Sequence, residues 1–330
     1  MSSTLGHLSR RLIIAVAFAM SLAPFAAEAQ TARFALLIQG ASGEEQYAKL
    51  HRGWLNGLTE VLRDRFTYDA AHLVVLAEQP AAGELRATAE SVRAALGRIA
   101  TAMTPADQLV IVLIGHGSGT GADAKFNLVG QDLSVTEWAQ LLKAVPGRLA
   151  VVNTTSASFP YLAGLAAPGR VVVTATNANA QRFHTVFPEG FVQALSSEAA
   201  DLDKNSRISL WEAFVYASRF VKQHYEQNGT MATEVAVLND SGDGSGQDAT
   251  AKRGDGSIAE LTYLDAVAVP TSSDPETQRL LVRQRDLTER MDDLRRRRAT
   301  MPADEYDRAF EKLALELADV SREVRKRTGG

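Results

Sequence analysis

A histidine and a run of hydroxyl side chains follow two apolar segments of the sequence, at the points where those segments end. Residues 109–114 are apolar throughout and lead into Gly115-His116-Gly117, while residues 149–153 lead into the hydroxyl-rich turn 154–158. If the two segments are neighbouring parallel strands, their carboxyl ends meet at one edge of the sheet and bring His116 close to that turn. A histidine beside a hydroxyl can activate it as a nucleophile. The alternative is a glycine-rich turn with a solvent-facing histidine.

Residues 201–212 match the twelve-residue loop of an EF-hand. The ligands that this match predicts are Asp201, Asp203, Asn205, the backbone carbonyl of Arg207, Ser209 and Glu212. Oxygen ligands in this number suit Ca²⁺, so the sequence predicts calcium as a cofactor. Ser206 stands where glycine normally permits a positive φ, and we expect it to weaken the affinity. The alternative is an acidic flank that the dipole of the following helix favours without any ion.

The apolar pattern predicts alternating strands and helices that would position these residues. Strands are expected at 33–39, 72–77, 109–114, 149–153 and 170–174, and helices at 47–65, 87–102, 136–142, 189–195 and 211–225. In the first helix, apolar positions at spacing four predict the buried face: Leu50, Trp54, Leu58 and Leu62. Alternation of this kind predicts βαβ crossovers, and therefore an α/β fold with a mainly parallel sheet between two layers of helices.

The histidine and the hydroxyl-rich turn also carry a resemblance to a known family. Strand-His-Gly, followed further along by a strand and an Ala-Cys-x-Ser-Gly turn, is the pattern of legumains, caspases and gingipains. Residues 34–248 resemble the bacterial legumain-like (peptidase C13) branch, with Ser156 aligned on the cysteine and Ser42 on the asparagine that orients the histidine. The resemblance implies a three-layer caspase-like sandwich over residues 30–270, and a peptidase site formed by His116, Ser156 and Ser42.

The missing cysteine divides the functional hypotheses. The chain contains no cysteine at all. A nearby protonated histidine lowers the pKa of a thiol and so favours the thiolate. A serine hydroxyl instead needs a general base that a third group orients. The sequence places no acidic residue where it would orient His116. One hypothesis is a pseudopeptidase or protein-binding module with a calcium-binding loop. Another is a peptide hydrolase in which Ser156 replaces the cysteine and His116 is the base. In a third, purely structural hypothesis, the C-terminal helical hairpin carries the function and the sheet only supports it.

Residues 1–29 have the pattern of a secretory signal peptide. Arg10 and Arg11 precede an uncharged apolar run, 12–26, and Ala27-Glu28-Ala29 is a small-x-small cleavage site. We therefore expect a secreted or periplasmic protein. An uncleaved anchor is the alternative, although the run is shorter than the roughly 20 residues of a spanning helix. No later segment predicts a membrane span.

Without residues 1–29, the chain has 33 basic and 38 acidic residues, a net charge of −5. This mild negative charge argues against a nucleic-acid partner and favours a protein or peptide.

Residues 271–330 change in composition and predict an antiparallel helical hairpin. The first helix, 275–298, is highly charged, and its apolar stripe is Leu280, Leu287, Met291 and Leu294. Met301-Pro302 marks the turn. The second helix, 303–327, has the heptad seam of a coiled coil, formed by Tyr306, Phe310, Leu313, Leu317, Val320 and Val324. This seam can close on itself, pack on the main domain or bind a partner protein.

Overall fold

The computed structural model describes residues 31–251, 254–266 and 269–328. The predicted signal peptide, residues 1–29, lies outside the described residues. Within the described part of the chain, no helix is both long enough and apolar enough to cross a membrane.

The described residues form a seven-stranded sheet and a smaller three-stranded sheet. Numbered along the chain, the strands are β1 (Arg33–Gln39), β2 (Leu73–Ala77), β3 (Leu85–Arg86), β4 (Gln108–Ile114), β5 (Gly117–Ser118), β6 (Lys125–Phe126), β7 (Leu133–Ser134), β8 (Arg148–Asn153), β9 (Arg170–Thr174) and β10 (Val237–Asn239). The large sheet has the order β10-β9-β8-β4-β1-β2-β3, and its strands are parallel except that β10 runs antiparallel to β9. Strand order reverses between β1 and β4.

Helices cover both faces of the large sheet. The helices are α1 (Glu45–Glu60), α2 (Ala89–Ala102), α3 (Val135–Leu142), α4 (Pro160–Leu165), α5 (Phe187–Ser196), α6 (Leu210–Gln227), α7 (Pro275–Arg296) and α8 (Ala303–Thr328). Side chains alternate across each strand, so Ala35 and Leu37 of β1 pack with α1, α5 and α6, while Leu36 and Ile38 pack with α2, α3 and α4. The predicted three-layer α/β architecture is therefore confirmed.

The first helix buries Trp54, Leu58 and Leu62 as predicted, but not Leu50. Leu50 is 44% exposed, whereas His51 is fully buried together with Trp54, Leu55 and Leu58. His51 precedes Trp54 by three residues and Leu55 by four, so all three lie on one side of the helix. This helical face points into the core layer, which places an imidazole inside the protein near the carboxyl ends of the strands.

The last two helices form the predicted antiparallel hairpin. Arg327 near the end of α8 pairs with Glu276 near the start of α7, with 2.9 Å between the charged atoms. The hairpin has its own apolar core, made by the buried Leu287, Met291, Leu294 and Leu313 with Tyr306, Phe310, Leu317 and Val320 packed against them. Leu281, rather than the predicted Leu280, is the buried leucine near the start of α7. Asp293 of α7 also pairs with Arg148 of β8, so the hairpin contacts the α/β part.

Candidate functional site

Three residues predicted from the sequence lie at the carboxyl edge of the large sheet. Ser42 follows β1, His116 follows β4 and Ser156 follows β8. The register pairs the last residue of β1 with the last residue of β4, and β8 ends one position earlier, so the three strands end at one level. The edge between β1 and β4 is also where the strand order reverses, and open α/β sheets bind their ligands at such points.

The turns after β4 and β8 touch each other at Gly117. A Cβ atom at this position would lie 2.3 Å from the carbonyl oxygen of Ser156, so a larger residue does not fit. The N–H of Gly117 donates a hydrogen bond to the Ser156 hydroxyl, with 3.3 Å between N and Oγ. The two turns therefore meet, as their places after neighbouring strands predict.

The hydroxyl of Ser156 is turned into the protein. The residue is 2% exposed, and among the described residues its hydroxyl is hydrogen-bonded to the N–H of Gly117 rather than to an imidazole. The adjacent Thr155 is buried as well, and its hydroxyl donates to Oδ1 of Asn153 over 2.7 Å. This turn therefore holds its hydroxyls inside the fold instead of aiming one of them at a base.

Ser42 was expected to orient His116, but its side chain contacts another histidine. The Ser42 hydroxyl lies 3.0 Å from Nδ1 of His51, and both residues are buried. Ser42 interacts with His116 through its backbone, which favours the protonated form of the His116 ring. The reason for the difference is the buried position of His51 on α1, which brings its ring within reach of the Ser42 hydroxyl.

His51, His116 and His184 form a cluster that sequence reasoning missed. Each histidine contributes one ring nitrogen to a set of three that all lie within 4.8 Å of one another. They come from α1, from the turn after β4 and from the loop between β9 and α5. Tyr47 packs edge-on against His116, with ring centroids 5.0 Å apart, and Trp54 stacks on His184 at 5.6 Å. The one local signal in the sequence is a histidine at helical spacing from Trp54.

Burial controls the charge of this cluster. Burial, helped by the charge of His116, lowers the pKa of His51 to about 3 and the pKa of His184 to about 4. Burial also lowers the pKa of His116, against the raising effects of the Ser42 backbone and of the negative charge of Glu44. At neutral pH His51 and His184 are therefore neutral imidazoles. Nε2 of His51 and Nδ1 of His184 are both buried and have no hydrogen-bond partner among the residues that the structure describes.

The predicted calcium loop folds so that its carboxylates converge. Oxygens of Asp201, Asp203 and Glu212 lie within 4.8 Å of one another. Ser209 is the N-cap of α6, and its hydroxyl and N–H both donate to Oε2 of Glu212. The ligand predicted from Arg207 is its backbone carbonyl. The guanidinium of Arg207 pairs with Asp265 at 3.0 Å and is not part of the predicted ligand set.

The backbone of this loop has a positive φ at the position where an EF-hand would have glycine, although the residue there is serine. Ser206 has φ +67° and Lys204 has φ +62°. For residues other than glycine, left-handed backbone of this kind costs roughly 1–2 kcal/mol. Asp201 holds the turn closed by accepting hydrogen bonds from the N–H groups of Asn205 and Ser206, over 3.1 and 2.9 Å. The geometry fits both interpretations made from the sequence, the calcium loop and the acidic helix flank.

A groove of about 570 Å³ opens between α3 and α4. Its walls are mainly small and apolar, and include Val135, Ala139, Phe159, Pro160 and Ala163. Phe159 and Pro160 directly follow the hydroxyl-rich turn, so the groove begins next to the strand ends. Sites for small ligands commonly have volumes of roughly 300–1,000 Å³, and the volume of this groove lies in that range.

Comparisons with known proteins do not assign a family. No protein-family description matches the chain, and no curated protein matches it. Among solved structures, the chain is similar to protein GSU0716 from Geobacter sulfurreducens, with 12% identity, a TM-score of 0.42, and coverage of 63% of this chain and 92% of that one. It is also similar to the Drosophila initiator caspase Dronc, with 12% identity, a TM-score of 0.39, and coverage of 65% and 81%. Similarity at this level carries no argument about activity.

Proposed function

We propose that this chain is an exported caspase/legumain-like pseudopeptidase, which keeps a peptidase scaffold, binds a protein or peptide without cleaving it, and holds calcium in its acidic loop. The observation that supports this proposal is the environment of Ser156, the residue aligned on the family's cysteine. Its hydroxyl is buried and accepts a hydrogen bond from the Gly117 N–H. His116 lies in a cluster of histidines instead of forming a pair with that hydroxyl.

The chemistry of serine makes this environment unfavourable for catalysis. A serine hydroxyl becomes a useful nucleophile when a base accepts its proton and a third group orients that base. In this site the Ser156 oxygen already accepts a hydrogen bond, and the hydroxyl of Ser42 is directed to His51. Glu44 influences His116 through its charge, and within the described ranges no carboxylate is hydrogen-bonded to the His116 ring.

A hydrolase that uses Ser156 and His116 is the second candidate. The observation in its favour is the contact at Gly117, which joins the turn that carries His116 to the turn that carries Ser156. The His116 and Ser156 side chains would have to rotate toward each other to form the pair. Catalytic hydrogen bonds are often long in structures without substrate, so reactivity of the protein in solution separates the two candidates.

A fluorophosphonate probe, which labels activated serines covalently, tests the proposal. We expect no labelling of the wild-type protein above that of Ser156→Ala, because Ser156 is buried and has no base as partner. Ser118→Ala is the matched control, since Ser118 is an exposed serine of the adjacent strand β5. The hydrolase would replace the pseudopeptidase if wild type and Ser118→Ala are labelled while folded Ser156→Ala and His116→Ala are not.

Calcium has a structural role in this proposal. The acidic loop leads into α6, and two of its residues reach the segment that precedes the hairpin: Arg207 pairs with Asp265, and Asn205 donates to the hydroxyl of Tyr263 over 3.1 Å. A calcium ion bound by Asp201, Asp203 and Glu212 would offset two of the three negative charges that these carboxylates hold close together. Calcium would therefore stabilise the connection between the α/β part and α7.

A further inference from the structure

We propose that His51, His116 and His184 form a site for Zn²⁺, which three imidazole nitrogens would bind while a fourth coordination position stays open. Three neutral nitrogen ligands with an open position are a common set for zinc in proteins. The proposal goes beyond the pseudopeptidase function and does not depend on it, because it concerns the cluster itself and not the loss of peptide cleavage.

The spacing of the nitrogens is close to what the metal requires. Ligands of a tetrahedral zinc ion with Zn–N bonds of 2.0–2.1 Å lie about 3.3 Å apart. One nitrogen from each histidine already lies within 4.8 Å of the others. Small rotations of the rings would bring them into contact with one ion. His116 and His184 are partly exposed, so the open side of the cluster faces solvent.

Unpartnered nitrogens point to a missing ligand. Within the described part of the chain, Nε2 of His51 and Nδ1 of His184 are buried and have no hydrogen-bond partner, and His51 is fully buried. A buried polar atom without a partner costs about 1–3 kcal/mol, and a metal ion would satisfy both atoms at once. Ser42 supports His51 from the other side, since its hydroxyl lies 3.0 Å from Nδ1. With Nδ1–H donating to that hydroxyl, Nε2 of His51 keeps a lone pair that can bind a metal ion, an arrangement typical of metal-binding histidines.

The chemistry of the cluster separates it from the acidic loop. Imidazole nitrogens prefer zinc and similar transition metals, whereas carboxylate and carbonyl oxygens prefer calcium. Glu44 supplies a negative charge near His116, which favours a bound cation. Tyr47 and Trp54 wall the cluster with aromatic rings and limit the access of water from that side. A metal bound by His116 would also prevent this histidine from acting as a base for Ser156.

Titration calorimetry of the purified, EDTA-treated and dialysed full chain with ZnCl₂ tests the proposal. We expect one Zn²⁺ per chain with wild type, and a loss of affinity of about 100-fold or more in His184→Ala, since removal of even a supporting group costs 10–100-fold. His224→Ala is the matched control, because His224 lies on α6 outside the cluster. Glu212→Gln should keep zinc binding, which excludes the acidic loop as its source.

The cobalt-substituted protein gives a second measurement that requires no variant to fold. Co²⁺ in a tetrahedral nitrogen site absorbs visible light strongly, and one equivalent of Zn²⁺ should abolish this absorption in wild type. Absence of stoichiometric Zn²⁺ binding to the wild-type chain would overturn the proposal. So would zinc binding that is equally strong in folded His184→Ala. Neither result bears on the labelling of Ser156, so the two proposals stand or fall separately.

Discussion

Glu212 joins the two ends of the acidic loop through its two carboxylate oxygens. Oε1 accepts hydrogen bonds from the N–H groups of Leu202 and Asp203, over 2.7 and 3.3 Å. Oε2 accepts from the N–H and the hydroxyl of Ser209, each over 2.8 Å. The same carboxylate would bind calcium with both oxygens as position twelve of an EF-hand. Glu212 is therefore the residue at which the two interpretations of this loop can be separated by experiment.

Removal of calcium should lower the melting temperature of the wild-type protein and leave that of Glu212→Gln unchanged. A ligand that binds the folded state at 100 times its Kd adds about 2.7 kcal/mol to the free energy of unfolding. Thermal unfolding in CaCl₂ and in EGTA measures this difference. Glu226→Gln, an exposed position on the same helix, is the control and should respond like wild type. Equal melting temperatures of wild type in both solutions would favour the acidic helix flank without an ion.

At the scale of elements, the long buried strands and the hairpin follow from the sequence because their patterns are strong. The predicted bounds of β1, β4, β8 and β9 differ from the observed ones by at most one residue, since these strands are apolar on both faces. The strands β3, β5, β6 and β7 have two residues each, and β10 has three. Strands of this length contain no period to detect, so sequence analysis missed them.

The strength of the local sequence pattern also explains which histidines of the site were predicted. His116 was predicted because glycines and an apolar strand surround it in the sequence. His51 was missed because a spacing of four placed Leu50 on the buried face of α1, whereas the buried position next to Trp54 toward the start of the helix is His51, three residues before it. His184 lies in an irregular loop, whose approach to α1 depends on tertiary packing alone. Clusters that join separate elements need the fold before they can be recognised.

Under the proposed function, the groove between α3 and α4 is the surface on which we expect a peptide to bind. Ala163 is exposed on α4 and lines the groove, so Ala163→Arg should fill the groove without altering the core. Peptides selected by display against wild type should lose at least tenfold in affinity for this variant, a loss of about 1.4 kcal/mol. Ala81→Arg, at an exposed alanine outside the groove, is the control. Equal binding to both variants would place the peptide site elsewhere.

At the scale of the whole molecule, one buried carboxyl joins three elements. Glu234 precedes β10 and is 1% exposed. It accepts hydrogen bonds from the N–H groups of Val186 and Phe187 at the start of α5, over 2.7 and 3.2 Å, and from the hydroxyl of Tyr225 on α6, over 3.3 Å. Burial raises the pKa of Glu234 to about 7, although both backbone N–H groups act in the opposite direction. Its protonation state therefore affects how the edge strand, α5 and α6 hold together.

The free energy of unfolding should consequently contain a term that falls as the pH rises from about 4.5 to about 7. In this range the unfolded chain has released the Glu234 proton and the folded protein still binds it, so deprotonation favours unfolding. At 1.36 kcal/mol for each pKa unit, this term amounts to about 3 kcal/mol. Urea unfolding of wild type and Glu234→Gln at pH 5 and pH 8 measures it, because the difference between the two proteins cancels the titration of all other groups. Equal pH dependence in the two proteins would show that Glu234 is already ionised in the folded state at pH 5.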